Sequence, residues 1–432
     1  MTRRVVIVSP YFPPSTVAGV HRARILSKHL PKWGWEPVVV CVHEKHHKER
    51  LDPELAELVP SNLRVLKVDA WSSSICKPLG LNDVGIRGYS AMKAAVDREI
   101  AIWGADLLFI TVLPGFPMLM GPSVRRKHRI PFVLDYQDPW LPQRYLDEPF
   151  GTKRWLAYRI ARSVERRVIG QVDAITSVSK GTTDLLRSHY YSGLEEIPFR
   201  AIPIGGDADD FEFLRGRERP CPLIQKFPGD VIVSFVGTIL PRAFRTLASV
   251  LSSLRQIREM DIRLYERLRL VFVGTTNQPI DGVAKVVMPM ANELGVADRI
   301  IEVPERIPYL DALNLLVRSD VVLMMGSDEP HYTASKLYPG LLSGRPVLAV
   351  YYEGSSVCHI AEAVGGVRLV KFGDARPVET CVEDIAQALI DLCGNPRSAG
   401  TSDLKMIEPY LGAQIAKEFA AVFDEVVERA RA

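Results

Sequence analysis

The first residues suited to binding an anion follow the opening apolar run of the chain. A proline-rich loop ends at Gly19, directly before a helix-like segment that carries Arg22 one turn in. Glycine allows a ligand to approach the backbone closely, and the first turn of a helix offers unpaired N–H groups to an anion. The pattern predicts either a ligand-binding loop or an ordinary strand-to-helix connection in which Gly19 serves packing. The loop contains no GxGxxG or P-loop motif that would decide between the two.

A second apolar run, much later in the chain, is followed by a similar turn. Gly237 and Thr238 come directly after the run, and Arg242 and Arg245 lie near the start of the next helix-like segment. Arginine binds phosphate oxygens through a planar, permanently charged group. The turn therefore predicts an anion site of its own.

The segment Ser335-Lys336-Leu337 opens another predicted helix with a lysine in its first turn. A cation at a helix N-terminus is unfavourable by the helix dipole, so Lys336 needs an explanation. An anionic ligand shared by Lys336 and either Arg242 or Arg245 supplies one. A solvated surface lysine is the alternative.

Asp138 is the candidate carboxylate for catalysis. It follows a buried apolar run in the sequence Asp135-Tyr-Gln-Asp138-Pro, and a polar group at the carboxyl end of a strand is well placed to face a ligand. A turn-forming aspartate is the alternative. We predict no metal site, because the run 43–49 (His-Glu-Lys-His-His-Lys-Glu) has the character of a solvated loop. Asp207-Ala-Asp209 spells a DxD motif but has the context of a turn or a helix cap.

The composition excludes several classes of protein. The 432 residues are 47% hydrophobic and 24% charged, which suits a globular protein with two cores. A formal net charge of +3 argues against a nucleic-acid-binding protein. The six cysteines form no CxxC pair, which is typical of reduced thiols. With neither a signal peptide nor an apolar run long enough to span a bilayer, we predict a cytoplasmic protein.

Short apolar runs alternate with amphipathic segments along the whole chain, and this alternation predicts an α/β fold class with parallel sheets. The predicted strands are residues 5–8, 38–42, 63–68, 107–111, 132–134, 174–177, 231–236, 268–273, 300–303, 321–325, 347–350 and 367–370. The predicted helices are residues 21–30, 91–103, 117–127, 153–170, 181–189, 245–259, 283–294, 309–318, 335–342, 356–363 and 411–430.

The alternation breaks at a stretch rich in glycine, proline and charge, which predicts two domains. We expect a Rossmann-like domain at residues 1–205, a linker at 206–229, a second Rossmann-like domain at 230–405 and a returning helix at 406–432. Both domains are predicted to be doubly wound parallel sheets facing each other across a cleft. Ligands bind beyond the carboxyl ends of such strands, so this architecture suits a reaction between two substrates.

Four stretches of the sequence resemble a known family. They are Pro10-Tyr-Phe-Pro-Pro with Ala18-Gly19, Val172-Asp-Ala-Ile-Thr-Ser-Val-Ser179, Ile202-Pro-Ile-Gly205-Gly-Asp207-Ala-Asp-Asp-Phe211, and Ser335-Lys-Leu-Tyr-Pro-Gly-Leu-Leu-Ser-Gly-Arg-Pro-Val-Leu-Ala349. Together they are similar to the retaining glycosyltransferases of the GT-B fold, of the family-four bacterial type also called group 1 glycosyltransferases. The resemblance spans nearly the whole chain, and the last two stretches are its most specific parts.

The resemblance implies a reaction and a set of donor-binding residues. A nucleotide-diphosphate sugar, commonly a UDP, GDP or dTDP sugar, is expected on the C-terminal domain, with an acceptor on the N-terminal one and neither a metal nor a cofactor. Gly19 and Arg22 are expected near the diphosphate or donor sugar, and Asp138 near the reacting sugar. The remaining donor-binding residues implied are Gly237, Thr238, Arg242, Arg245, Ser335, Lys336, Leu337 and Glu329.

One departure from the family pattern leaves the function open. Where the family has a ribose-binding glutamate, this chain has Pro339, and His331 stands at the partner position with Glu329 close by. We therefore keep three readings: an active glycosyltransferase, a catalytically silent GT-B subunit that organises an active transferase, and a nucleotide-sugar epimerase of the same fold.

The expected acceptor is a glycan, a glycolipid or a small molecule. Basic stretches at residues 125–129 and 153–167, the second with a tryptophan, suit peripheral contact with an anionic membrane on its cytoplasmic face. A solvated helix that packs its apolar side on the sheet is the alternative.

Overall fold

The computed structural model describes residues 2–142, 145–189, 197–224, 229–276, 284–327, 335–395 and 404–432. The chain divides into two compact units. The first unit comprises Met1–Ile204 and Gly412–Ala432, and the second comprises Gly205–Leu411. Each unit is built on its own sheet.

The strands form two parallel sheets, which confirms the predicted fold class. The first sheet has seven strands in the order β3-β2-β1-β4-β5-β6-β7, and the second has six in the order β10-β9-β8-β11-β12-β13. The strand bounds are β1 Arg3–Val8, β2 Trp35–Val42, β3 Arg64–Val68, β4 Leu107–Thr111, β5 Phe132–Tyr136, β6 Ala174–Ser177, β7 Phe199–Ala201, β8 Val231–Val236, β9 Leu268–Val273, β10 Ile300–Val303, β11 Val321–Met325, β12 Val347–Tyr352 and β13 Val367–Phe372.

Helices connect the strands. Their bounds are α1 Val20–His29, α2 Pro53–Glu57, α3 Ser73–Cys76, α4 Val84–Arg87, α5 Tyr89–Trp103, α6 Met120–His128, α7 Lys153–Ile169, α8 Lys180–His189, α9 Ala208–Arg215, α10 Phe244–Met260, α11 Ile262–Arg267, α12 Val287–Glu293, α13 Tyr309–Arg318, α14 Leu337–Leu342, α15 Ser356–Val364, α16 Val382–Gly394, α17 Leu404–Ile407 and α18 Gly412–Arg431. Short 3-10 helices lie at Leu30–Trp33, Glu44–His46, Phe116–Leu119, Tyr145–Asp147, Pro241–Ala243, Ala297–Arg299, Val378–Cys381 and Glu408–Tyr410. No helix within the described ranges combines the length and apolar character needed to cross a bilayer.

The last helix of the chain completes the core of the first unit. Phe419 and Phe423 of α18 pack on Phe109 of β4, with ring centroids 5.5 and 5.4 Å apart. Phe423 also contacts Trp35 at the start of β2. Aromatic side chains bury large apolar areas, so α18 stabilises strands that lie hundreds of residues earlier in the chain.

The segment 206–229, predicted as a linker, differs from that prediction. It belongs to the second unit and contains α9, whose N-terminus is capped by Asp207 through a bond from the Asp209 N–H. Asp210 accepts a hydrogen bond of 2.9 Å from the Tyr309 hydroxyl of α13. The glycines, prolines and charges of this stretch therefore serve caps and turns around a packed helix. The DxD motif is a helix cap, as predicted.

Candidate functional site

Each sheet has a switch point, where the chain returns to the middle of the sheet and the order reverses. In the first unit β1 lies between β2 and β4, and in the second β8 lies between β9 and β11. Ligands of such sheets bind outside the carboxyl ends of the strands at this point.

Gly19 occupies the N-cap position of α1 and is closely packed. A Cβ atom at this position would lie 2.6 Å from Cδ2 of Leu113, in the loop that follows β4. The Gln137 side chain donates a hydrogen bond of 3.3 Å to the Gly19 carbonyl. Packing is therefore a sufficient explanation for this glycine. Its contacts with Leu113 and Gln137 bring the loops after β1, β4 and β5 together at the carboxyl edge of the first sheet.

The structure corrects the prediction for Arg22. Its side chain is fully buried, and Nε donates to Asp135 Oδ2 at 3.2 Å while the two Nη atoms donate to the carbonyls of Pro203 and Ile202 at 2.7 Å. The guanidinium also lies over the Phe419 ring, 4.9 Å from its centroid. Since these contacts enclose the guanidinium, Arg22 fastens the first unit and does not face a ligand.

Asp135 is the carboxylate partner of this buried cation. Burial raises the pKa of Asp135, while Arg22 and the hydroxyl of Thr176, which donates a bond of 2.7 Å, act in the opposite direction. The group is fully buried. The Asp135 carboxylate therefore has a structural role, connecting β5 to Thr176 of β6 and to Arg22.

Asp138 lies at the carboxyl edge of the first sheet, two residues after the end of β5, and it is exposed. Trp140 packs against Gly115 of the loop after β4, where any side chain at position 115 would meet the indole ring. This contact holds the segment that carries Asp138. An exposed carboxylate here is accessible to a bound substrate.

A half-buried polar cluster beside the loop after β1 was missed by sequence reasoning. The run 43–49, predicted to be a solvated loop, contributes His47, whose side chain is fully buried and whose ring lies 5.1 Å from that of Tyr11. Burial alone would raise the pKa of Glu49, but hydrogen bonds from His47 and Ser15 outweigh it and lower the pKa to about 2. Burial and the Glu49 charge raise the pKa of Tyr11 to about 12. The sequence signal that could have revealed this cluster is the unusual density of histidine and charged residues in the run 43–49.

Lys336 and Gly237 form the closest contact among the predicted residues of the second unit. The Lys336 side chain lies directly against the Gly237 backbone, in the volume that a Cβ atom at position 237 would occupy. Gly237 has a φ of +144°, a conformation that side chains disfavour. Nζ of Lys336 donates to the Thr238 carbonyl at 3.2 Å and lies 5.2 Å from the centroid of the Phe235 ring.

The electrostatic setting of Lys336 favours an anionic ligand. Burial, with a smaller contribution from the Arg306 charge, lowers the pKa of Lys336 to about 8. Within the described part of the chain, Lys336 contacts a carbonyl and an aromatic ring and is repelled by the charge of Arg306, without a carboxylate among these partners. A phosphate group would supply the missing counter-charge.

Arg242 lines a small pocket between the ends of β8 and β11. Polar groups at this pocket come from Thr238, Arg242 and Ser327, and apolar groups form the rest. The lining residues are Phe235, Thr238, Ile239, Leu240, Arg242, Ala243, Met325 and Ser327.

The sequence left Arg242 and Arg245 as alternatives, and the structure separates them. Arg245 forms a bidentate ion pair with Glu379, with Nε and Nη2 bonds of 2.6 and 2.9 Å. This pair lies on the surface of the second unit, and neither of its residues lines the pocket. Arg242 is therefore the better candidate for a ligand contact.

Helix α14 begins at Leu337, two residues later than predicted, and Lys336 stands at its N-cap. Ser335 is half-buried before the helix, whereas the Leu337 side chain is fully buried and corrects the prediction of a ligand contact by that side chain. Pro339 lies in the first turn, where a missing N–H is tolerated. Glu329 and His331 lie outside the described residues.

The comparisons with known proteins agree with this architecture. Residues 18–205 match the glycosyl transferase 4-like domain family. The α,α-trehalose 6-phosphate synthase from Burkholderia multivorans has a similar structure, with 12% identity, a TM-score of 0.63 and coverage of 100% of this chain and 98% of that one. No curated protein matches the chain in sequence.

Two further structures share the fold. Anabaena HepE in complex with UDP and glucose has 14% identity, a TM-score of 0.60 and coverage of 97% of this chain and 99% of that one. A putative UDP-N-acetylglucosamine 2-epimerase from Listeria monocytogenes has 14% identity, a TM-score of 0.51 and coverage of 98% and 95%. At these identities the structures show a common fold and do not separate glycosyl transfer from epimerisation. The matched domain favours glycosyl transfer, because residues 18–205 belong to the glycosyl transferase 4-like family and the two parallel-sheet units have the GT-B fold.

Proposed function

We propose that this chain transfers a glycosyl group from a nucleoside diphosphate sugar, with Lys336 and Arg242 as ligands of the diphosphate. One observation carries the proposal: the Lys336 ammonium lies against a glycine backbone at the carboxyl edge of the second sheet, without a carboxylate among its described contacts. Negative charge grows on the diphosphate as the glycosidic bond breaks. A fixed cation stabilises that charge in the transition state.

The donor we favour is a UDP sugar, since the HepE structure contains UDP and glucose. GDP and dTDP sugars are the alternatives. The proposal needs no metal or cofactor, because Lys336 and Arg242 take the electrostatic role that a divalent cation would otherwise fill. We expect transfer to be unchanged by a chelator.

We place the acceptor, a glycan, glycolipid or small molecule, at the carboxyl edge of the first unit, with Asp138 beside the reacting sugar. The Asp138 side chain is exposed, and a carboxylate can act as a hydrogen-bond acceptor or base. Retention of the anomeric configuration is part of the proposal through the family resemblance, and the NMR spectrum of the product tests it.

A thermal-shift screen of the purified protein against UDP, GDP, dTDP, ADP and their sugar conjugates tests the donor site. A ligand that binds only the native state raises the melting temperature. We expect one nucleotide to stabilise the protein and Lys336→Ala to weaken its binding by about tenfold to a hundredfold, the value of a charged hydrogen bond. Lys371→Ala is the control, because that exposed lysine of the same unit pairs with Glu362. Equal loss in both variants, or no shift with any nucleotide, would refute the assignment.

The two arginines provide a second, matched test. Arg242→Ala removes a pocket-lining cation and is expected to weaken nucleotide binding about tenfold. Arg245→Ala removes the same charge three residues along the chain but breaks the surface pair with Glu379. Its nucleotide affinity is expected to stay within about twofold of the wild type.

Pro339 favours a second candidate function, a silent subunit that binds nucleotide without turning it over. The first turn of α14 carries no acidic side chain, so it lacks the ribose-binding carboxylate of the family resemblance. Donor hydrolysis or transfer would exclude this candidate. Tight nucleotide binding without turnover across a broad panel of acceptors would favour it over the active enzyme.

A further inference from the structure

The polar cluster of the first unit has no part in the proposed donor site. It consists of Tyr11 and Ser15, in the loop after β1, and of His47 and Glu49, in the run after β2. Because β1 and β2 are parallel neighbours, the loops that follow them lie side by side at the carboxyl edge of the sheet. This is the edge that carries Asp138.

The two loops are tied together, and these ties hold Glu49 in place. The Thr16 hydroxyl donates to the Arg50 carbonyl at 2.8 Å. Ser15 forms a β-bridge with Leu51, and its hydroxyl donates to Glu49 Oε1. A group that is already held in position loses little freedom when a ligand binds to it.

Two polar groups of the cluster have no hydrogen-bond partner among the described residues. The His47 side chain is fully buried, and its Nδ1 lies 3.3 Å from Glu49 Oε1, but its Nε2 has no partner there. The hydroxyl of the half-buried Tyr11, whose ring lies 5.1 Å from that of His47, has none either. Buried polar groups are almost always hydrogen-bonded, to protein, ordered water or a ligand. The two neighbouring groups therefore predict a polar occupant.

The charges that act on Tyr11 are mainly negative. Glu49 is ionised, because hydrogen bonds within the cluster outweigh its burial and lower its pKa to about 2. Asp83 caps α4 by accepting a bond of 3.1 Å from the Ile86 N–H. Burial and the charges of Glu49 and Asp83 raise the pKa of Tyr11 to about 12, against the smaller effect of Arg87. The Tyr11 hydroxyl therefore keeps its proton and can donate it in a hydrogen bond.

The cation of Arg87 is occupied by the protein backbone. Its side chain is buried, and its three guanidinium nitrogens donate to the carbonyls of Trp71, Asn82 and His46 at 2.8–3.3 Å. A phosphate at the cluster would therefore meet carboxylate charge without the Arg87 donors to bind it. A neutral hydroxyl group fits better, since it can donate to a carboxylate and accept from a tyrosine.

One loop connects the cluster to the segment of Asp138. A Cβ atom at Gly85 of α4 would lie 2.5 Å from Cγ of Pro114, in the loop after β4. Trp140, two residues after Asp138, packs on Gly115 of the same loop. A single acceptor chain can therefore extend from Asp138 across this loop to the cluster.

We propose that Tyr11, Glu49 and Asp83 bind a neutral, hydroxyl-bearing sugar ring of the acceptor. The two carboxylates accept hydrogen bonds from sugar hydroxyls, and the Tyr11 hydroxyl donates to a sugar oxygen. His47 holds Glu49 in place and offers Nε2 to the same sugar. The role of this sugar as part of an acceptor rests on the proposed function, whereas its binding to the first unit does not.

Saturation-transfer NMR on the full chain without nucleotide tests the proposal. The probes are glucose, mannose and N-acetylglucosamine, each with its 6-phosphate. At least one neutral sugar is expected to bind, about tenfold more tightly than its 6-phosphate, because the carboxylates repel the added charge. Asp83→Asn keeps a good helix cap but removes one charge, and it is expected to narrow that difference about threefold.

Tyr11→Phe separates a binding role from a structural one. It keeps the ring that contacts His47 and removes a hydroxyl without a partner in the described part of the chain. Sugar affinity is expected to fall about twofold to tenfold, the value of a neutral hydrogen bond, while the melting temperature stays the same or rises. Tyr158→Phe is the matched control, because Tyr158 is a half-buried tyrosine of α7 in the same unit. Its sugar affinity is expected to equal that of the wild type.

The thermal-shift response to nucleotide is a separate readout and should be unchanged in all these variants. A wild type that binds sugar but no nucleotide would refute the donor site and leave the sugar site standing. Three results would overturn the sugar site. They are no saturation transfer to any of the neutral sugars, equal or tighter binding of the 6-phosphates, and unchanged sugar affinity in Tyr11→Phe.

Discussion

At the scale of single residues, the buried cation Arg22 and the half-buried cation Lys336 show how the surroundings of a charge divide structural from functional roles. Arg22 is enclosed by a carboxylate, two carbonyls and an aromatic ring, so its charge is fully compensated inside the first unit. Lys336 has a carbonyl and a ring but no carboxylate among its described contacts. Both follow a strand-to-helix turn in the sequence. We propose that only the second binds an external anion.

The depressed pKa of Lys336 predicts a pH dependence of nucleotide binding. Without a bound ligand, Lys336 has a pKa of about 8 in the folded protein. A bound diphosphate raises that pKa, because a nearby opposite charge favours the protonated form. The affinity should therefore begin to fall near pH 7, drop to about half of its maximum near pH 8 and decline further as the pH rises. Lys336→Arg, charged throughout, should bind with a flat profile over the same range. Calorimetric titrations of both proteins check this, and a flat wild-type profile up to about pH 10 would contradict it.

The contact between Gly237 and Lys336 predicts a loss of binding without any loss of charge. Gly237→Ala forces the Lys336 side chain out of its position and should weaken nucleotide binding as much as Lys336→Ala does. Gly344→Ala is the control: its φ of +68° is also unfavourable for a side chain, but a Cβ there meets open space. Both variants should lose about 1 kcal/mol of stability, and only the first should lose affinity. Equal affinities in the two variants would show that Lys336 does not need this position.

At the scale of elements, Arg22 connects its own helix, α1, to β5 through Asp135 and to α18 through Phe419. It also binds the carbonyls of Ile202 and Pro203, at the end of the Met1–Ile204 stretch of the first unit. Arg22→Met leaves Asp135 buried without its cation and should destabilise the protein by about 3–5 kcal/mol. The double variant Arg22→Met with Asp135→Leu should recover part of that loss, since no uncompensated charge remains. Urea unfolding measures both. Nucleotide affinity at a temperature where the variants are folded should equal that of the wild type, and a selective loss of affinity would restore the predicted ligand role of Arg22.

At the scale of the whole molecule, the first unit needs both ends of the chain. Phe419→Ala removes a fully buried ring that packs on Phe109 and should cost about 3–5 kcal/mol of unfolding free energy. Lys417→Ala, an exposed position on the same helix, should cost less than about 1 kcal/mol. Hydrogen exchange should show the loss of protection in Met1–Ile204, and a loss confined to Gly205–Leu411 would contradict the division of the chain.

The sequence by itself determined the fold class and most of the elements. The predicted strands at 231–236, 268–273 and 321–325 coincide with β8, β9 and β11, because continuous β-branched runs are typical of strands buried on both faces. It also marked the turns that carry Asp138, Gly237 and Lys336. Short elements such as β7, with three residues, and the capped helix α9 carry too few periodic positions to be distinguished from loops.

Only the tertiary structure decided which charged side chains can meet a ligand. A sequence shows that Arg22, Arg242, Arg245 and Lys336 are cations near turns, but their partners come from residues up to hundreds of positions away. Arg22 is enclosed by β5 and the segment before residue 205, and Arg245 is paired with Glu379, whereas Lys336 lies on a glycine backbone. Long-range packing sets the desolvation and compensation of each charge, and these quantities separate a structural cation from a binding one.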